Sequence, residues 1–263
     1  MKSLQRGITL LLASVSGAAV AAMPDGAQRN FVACPIVRDT ASVPCWLAEY
    51  EGELYFLTLQ TDVSAPVNPP MLGHKVLVEG RRTDKPRICG GIVLEPVRLS
   101  VLPTLDANCN QLLPAEAQYN LTFEPPRPPG PSKGRLAFNT LDVQQAEVAP
   151  QRVEKHFSIG YDFEGRVGFK HPALLQPVLD YALAIKATSI DIEGHRGAAL
   201  LSDGTILNES PQLAQRRAQQ VAELLQGAGL IGPRYTVRWI DAATAPNGSD
   251  DSPQRRVDIT VKP

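Results

Sequence analysis

Ser189-Ile-Asp-Ile-Glu-Gly-His195 alternates polar and apolar residues up to Arg196 and Gly197, and a segment of helical period, Leu213 to Leu225, follows it. Alternation with a period of two reads as a half-buried strand with Ile190 and Ile192 turned inward. In the second segment Ala214, Ala218, Val221 and Leu225 recur at i, i+4, i+7 and i+11, opposite a polar stripe of Arg216, Gln220 and Glu223. A strand that must bury one face, followed by a helix that must bury one stripe, points to helices layered on a sheet. Arg217 breaks the sorting. It lies four residues from both Leu213 and Val221, at the edge of the apolar face, where an unpaired charge is costly. It requires an anion, carried by a ligand, by a partner protein or by a neighbouring strand, where Asp191, Glu193 and Asp258 are at hand.

Together with Gln254-Arg-Arg-Val257 near the terminus, these segments resemble the OmpA C-terminal-like domain, a family of bacterial envelope modules that hold peptidoglycan non-covalently. The family pattern is a strand ending Glu-Gly-His-Thr-Asp, a helix carrying Leu-Ser-x-x-Arg-Ala-x-x-Val-x-x-x-Leu, and a last strand opening Asn-Arg-Arg-Val. This chain supplies Glu193-Gly194-His195, Leu213 to Val221 with Leu225, and Gln254 to Val257, over residues 155–263. The resemblance implies that the peptidoglycan stem peptide is the ligand and that Arg217 meets a carboxylate of its diamino acid. It also gives His195 a packing role. The family aspartate that receives the diamino acid's amino group is replaced by Gly197, Arg196 stands in place of the threonine, and Ser210 falls where a loop asparagine is usual. The loop between strand and helix is a few residues longer than the pattern. Asp203 within it is the residue expected to return to the amino group. Alternatively, Arg196 and Arg217 form a doubly cationic pocket for a more acidic ligand or a protein carboxylate.

Residues 1–22 carry Lys2 and Arg6, an apolar run and a small-residue exit, the pattern of a secretory signal peptide too short to span a bilayer. Cys34 lies beyond any plausible cleavage point, so no lipid anchor is expected. The chain has 26 Lys+Arg and 27 Asp+Glu, and loss of Lys2 and Arg6 leaves a formal charge of −3. Such a surface has no electrostatic footprint for nucleic acid. The expected location is the periplasm, with outer-membrane association left open.

All four cysteines, Cys34, Cys45, Cys89 and Cys109, lie in the first half. An even count in an exported chain implies two disulfides. Cys34–Cys45 with Cys89–Cys109 is the expected pairing, because each closes a short local loop. Zinc and redox chemistry are disfavoured by the long, irregular spacings.

Residues 23–123 are rich in short β signals. Cys45–Tyr50 and Glu53–Leu59 flank Glu51-Gly52 as a hairpin, and His74–Gly80 and Ile92–Leu102 are further strands. A small disulfide-bonded β barrel of about five strands, OB-like in outline, is expected. Trp46, Tyr50, Tyr55 and Phe56 read as its core rather than a platform for sugars. Arg81, Arg82, Lys85 and Arg87 read as a solvated turn rather than a polyanion site. Residues 124–154 contain a Pro-rich spacer, begun at Phe123, that is expected to hold the domains apart.

In residues 155–263, Phe157, Ile159, Tyr161 and Phe163 alternate on a first strand. A helix follows from Pro172 to Ala187, with Leu174, Val178, Tyr181 and Ile185 on its stripe. Tyr235, Val237 and Trp239, then Val257, Ile259 and Val261, mark two more inward-facing strands. The expected fold class is α+β, a β barrel followed by an OmpA-like two-layer α/β sandwich. No nucleophile-elbow motif accompanies His195, Ser202 and Asp203, so no catalytic role, metal or cofactor is expected. The function expected is non-covalent peptidoglycan binding, with the β domain presented to an envelope partner. The alternative is an envelope scaffold whose OmpA-like site is degenerate.

Overall fold

The computed structural model describes residues 26–60, 70–121, 151–165 and 172–263. The expected signal peptide of residues 1–22 and the spacer from Phe123 to Gly134 lie outside the described residues. In the first domain, β1 (Gln28–Ala33), β2 (Pro35–Arg38), β3 (Cys45–Tyr50), β4 (Glu53–Leu59), β5 (His74–Arg82), β6 (Ile92–Leu105) and β7 (Leu112–Leu113) make one sheet in the order β1-β5-β6-β4-β3-β2-β7. The β3–β4 hairpin turns where expected, with Glu51 at φ 50° and Gly52 at φ 74°, the left-handed pair a tight hairpin needs.

A closed barrel was the expectation, and the sheet is open. Closure requires the two end strands to pair. Among the described residues, β1 pairs as a strand only with β5, and the two-residue β7 only with β2. The apolar face is closed by packing instead: Phe31 of β1 stacks on Tyr50 of β3 with ring centroids 4.6 Å apart. Phe31, Trp46, Tyr55, Leu57, Val76 and Val78 are buried together, so the aromatic residues are core. Of the basic cluster, Arg82 pairs with Glu53 at 2.8 Å, Lys85 pairs with Glu95, and Arg87 donates to the Gly90 carbonyl.

The disulfides are Cys34–Cys109 and Cys45–Cys89, with Cα separations of 4.8 and 6.5 Å. All four cysteines are bonded, but the expected local pairing is wrong. Cys34 and Cys45 sit at opposite ends of the β2–β3 hairpin, whose register sets Pro35 against Ala48 and Arg38 against Cys45. Antiparallel strands carry such residues apart, so each sulfur meets a segment remote in sequence.

The second domain contains β8 (Lys155–Gly160), α1 (Pro172–Ile185), β9 (Ser189–His195), a hairpin of β10 (Ala198–Leu200) and β11 (Ile206–Asn208), α2 (Leu213–Gly227), β12 (Arg234–Ile240) and β13 (Arg256–Lys262). Its sheet has the order β12-β9-β13-β8, with β12 parallel to β9 and β13 antiparallel to both neighbours. Both helices cover one face. Val178, Ala182 and Ile185 of α1, and Ala218, Val221 and Leu225 of α2, share a core with Ile190, Ile192, Val257, Ile259 and Val261. This is the expected two-layer α+β arrangement. Leu175 rather than Leu174 faces the core from α1, and Trp239 is 40% exposed near the end of β12.

Gly194 shows how tightly the layers meet. A Cβ there would lie 2.1 Å from the Ala214 carbonyl oxygen, so only glycine lets the start of α2 rest on β9.

The two domains pack against each other, contrary to the expected separation. Leu77 of β5, Phe163 and Ala199 of β10 are buried in one cluster, flanked by Val32, Leu102, Leu201 and Leu207. Full burial of a side chain such as Leu77 or Phe163 is worth about 1.5–3 kcal/mol. Polar contacts surround the cluster: the Asn30 amide nitrogen donates to the carbonyls of Leu200 and Gly248, and the Phe163 N–H donates to Ser100 Oγ. The lengthened loop after Gly197 is therefore a docking hairpin.

Candidate functional site

The site is built where β9 ends, α2 begins and the segment 161–165 crosses between them. Arg217 is fully buried on the first turns of α2. Its Nη2 donates to Glu209 Oε1 at 2.6 Å and its Nη1 to Glu209 Oε2 at 2.9 Å, a two-point pairing. The other donors reach the carbonyls of Gly165 from Nε, His195 from Nη1 and Asp162 from Nη2. A guanidinium has five N–H groups, and all five have acceptors within the chain. The Tyr161 ring lies 4.7 Å from its carbon, and burial pushes the Tyr161 phenol far up, with Arg217 opposing.

Glu209 is as buried as its partner and is held from three sides. Beyond Arg217, Oε2 accepts from the Gly197 N–H at 2.7 Å and Oε1 from the Glu164 N–H at 2.9 Å. Asp191, Glu193 and Asp258, the acids expected to pair with Arg217, do not. They project from the opposite face of the sheet, where Asp191 meets Lys262 at 2.7 Å, Glu193 meets Arg238 at 3.5 Å and Asp258 meets Arg256 at 2.8 Å. The strand's period of two decides this, because residues alternating with buried Ile190 and Ile192 must point away from the helices. Glu209 carries no periodic signal. Its one mark in the sequence is an acid in a lengthened loop, shortly before the helix that bears the odd arginine.

The remaining site residues are divided. Arg196 donates to the carbonyl of Glu209 at 2.6 Å and to that of Asp241, so its guanidinium braces the loop beside Arg217's pair. Gly197 lies under Arg255, whose Cγ would be 2.7 Å from a Cβ at that position. The Ser210 N–H donates to a Glu164 carboxylate oxygen. Asp203 is exposed at the tip of the β10–β11 hairpin, where it accepts from the Thr205 N–H. Its neighbour Ser202 exchanges hydrogen bonds with Asn30 of the first domain at 2.7 and 2.9 Å. Arg196, Gly197 and Arg217 are therefore gathered around Glu209, and Asp203 belongs to the interdomain joint. His195 stands 3.4 Å from Glu193 and 3.2 Å from Asp258, apart from the contacts of Ser202 and Asp203.

The last component is Arg255, buried completely, whose Nη2 crosses the joint to Glu79 Oε2 at 2.6 Å. Asp251, also buried, accepts from the N–H groups of Leu200, Asn247 and Gly248 and fixes the loop beside it.

No family model matches the chain, and no curated protein matches it. Solved structures do. A MotB-like protein from Desulfovibrio vulgaris matches at 17% identity and a TM-score of 0.33, over 41% of this chain and 75% of that one. The cell wall anchor of the T6SS from Pseudomonas aeruginosa matches at 23% identity and a TM-score of 0.33, over 41% of this chain and 81% of that one. At that TM-score neither likeness carries functional weight.

Proposed function

We propose that the protein is an exported cell-envelope scaffold whose OmpA-like domain has its arginine closed off by the chain itself and serves as the platform on which a disulfide-bonded β domain is fixed. The two-point pairing of Glu209 with Arg217 carries this reading: a carboxylate already occupies the guanidinium, and an incoming one would have to displace it from a fully buried position. Two disulfides support an oxidising compartment, the periplasm. The docking hairpin and the Arg255–Glu79 pair support a fixed mounting of the first domain, which then meets an envelope partner with its remaining surface.

The second reading is non-covalent binding of the peptidoglycan stem peptide through Arg217. It is favoured by Arg196 and Arg217 flanking one loop, with Glu209 as the element that would swing aside. Co-sedimentation with purified peptidoglycan sacculi decides between them. The scaffold reading expects the native protein to stay in the supernatant. Pelleting of the native protein that is lost in Arg217→Ala, with both folded by circular dichroism, overturns it in favour of wall binding.

A further inference from the structure

We propose that a cavity of about 290 Å³ at the margin of the interdomain joint binds a small carboxylate-bearing molecule that also carries an amino or hydroxyl group. Its walls come from both domains: Gln28 of β1, Glu79 and Arg81 of β5 and Arg98 of β6 on one side, Ser249 and Asp250 of the loop before β13 on the other. The strand registers set Gln28 against Arg81 and Glu79 against Arg98, so alternation brings all four side chains to one face of the sheet.

The first half of the inference rests on the two arginines. Arg29, Arg38 and Arg82 of this domain each have an acidic partner. Arg81 and Arg98 have neither a contact ion pair nor a hydrogen bond among the described residues, although both line the cavity, and Arg98 acts on the carboxylates of Glu79 and Asp250 only at longer range. They stand on adjacent strands at a spacing that side chains of their length can bridge. Two guanidinium-bearing residues lining one space favour a planar oxyanion, which takes parallel N–H bonds from such forks. Glu79 answers Arg98 only in part, because its Oε2 is held by Arg255.

The second half rests on the acceptors. Gln28 donates through Nε2 to Asn30, while its Oε1 is buried without a protein partner. Asp250 accepts from Ser252 at Oδ1 alone, through both the N–H and the hydroxyl. The buried Gln28 Oε1 lacks a donor and the exposed Asp250 carboxylate keeps acceptor capacity, so a ligand N–H or O–H placed there is favoured. The volume lies at the lower edge of the range usual for ligand pockets, which limits the guest to the size of an amino acid, a hydroxy acid or a short peptide end. The cavity is separate from the Arg217–Glu209 pair, so the inference stands whether or not sacculi bind.

Calorimetric titration of the purified protein with alanyl-alanine, lactate, acetate and ethanolamine at millimolar concentration tests it. Alanyl-alanine, lactate or both are expected to bind more tightly than acetate, and ethanolamine not at all. Arg81→Gln and Arg98→Gln, both at exposed positions, are expected to weaken binding about tenfold or more while the protein stays folded by circular dichroism. Binding of acetate as tight as that of the other carboxylates removes the donor half of the inference. No heat with any carboxylate, equal binding of ethanolamine, or binding untouched by both variants overturns it.

Discussion

Arg255 Nη2 and Glu79 Oε2 lie 2.6 Å apart across the joint between the two domains, with both side chains buried. Burial is the largest influence on the Glu79 carboxyl and pushes it up, against the opposing pull of Arg255 and Arg98. The folded protein therefore keeps a proton on Glu79 to higher pH than the unfolded chain does. From about pH 4.5, the ordinary value, up to the raised one, the native state binds the more protons, so this group's contribution to stability is lost as pH rises. The unfolding free energy of the native protein relative to Glu79→Gln should fall as pH rises through that interval. Denaturant titrations of both proteins across it measure the difference, in which carboxyls held low, such as Asp191 and Glu53, cancel. A difference that does not vary with pH sinks the prediction.

Glu209→Ala leaves the Arg217 guanidinium buried without its counter-charge. The expected loss is about 3–5 kcal/mol by urea denaturation, with a smaller loss for Glu209→Gln, which keeps one acceptor. Arg217→Ala should cost at least as much, because the carbonyls of Asp162, Gly165 and His195 lose donors as well. Wild-type stability in Glu209→Ala would show that the pair does not hold this corner of the fold.

Gly197→Asp should damage the protein rather than create a site. The added Cβ meets Arg255 Cγ at 2.7 Å, and Arg255 is fully buried and tied to Glu79. A loss of about 1–3 kcal/mol, the range of an overpacked core, is expected in the thermal unfolding free energy. Gain of sacculus binding by this variant at unchanged stability would contradict the closed geometry.

Peptide mapping without reduction should recover Cys34 joined to Cys109 and Cys45 joined to Cys89. The loops they close differ, at sequence separations of 75 and 44. By chain entropy their removal as serine pairs should cost about 4.5 and about 4 kcal/mol respectively. Recovery of Cys34–Cys45 fragments would overturn the sheet order around β2 and β3.

The second domain was legible wherever a period was. Ile190 and Ile192, Val257, Ile259 and Val261, and the stripe of α2 all face the core as their spacing requires. The first domain was half legible: β3, β4, β5 and β6 fall where alternation put them, whereas β1, β2 and β7 carry no clear turn or period. Arg217 announced that it needed an anion but not which one. Sheet parity alone could have excluded Asp191 and Glu193. Nothing local could have selected Glu209, which reaches Arg217 only because the β10–β11 hairpin folds back.

The sequence by itself determined the local order: which segments become strands, which side of each is apolar, and that one charge is misplaced. Those properties depend on neighbours a few residues away, through the pleat and the helical turn. The tertiary structure alone decided which half-cystines meet, that the first domain rests on the hairpin after Gly197, and that Arg217 and Arg255 find their counter-charges in Glu209 and Glu79. Glu79 and Arg255 are 176 residues apart. Their meeting depends on how two sheets dock, which no periodicity within either segment encodes.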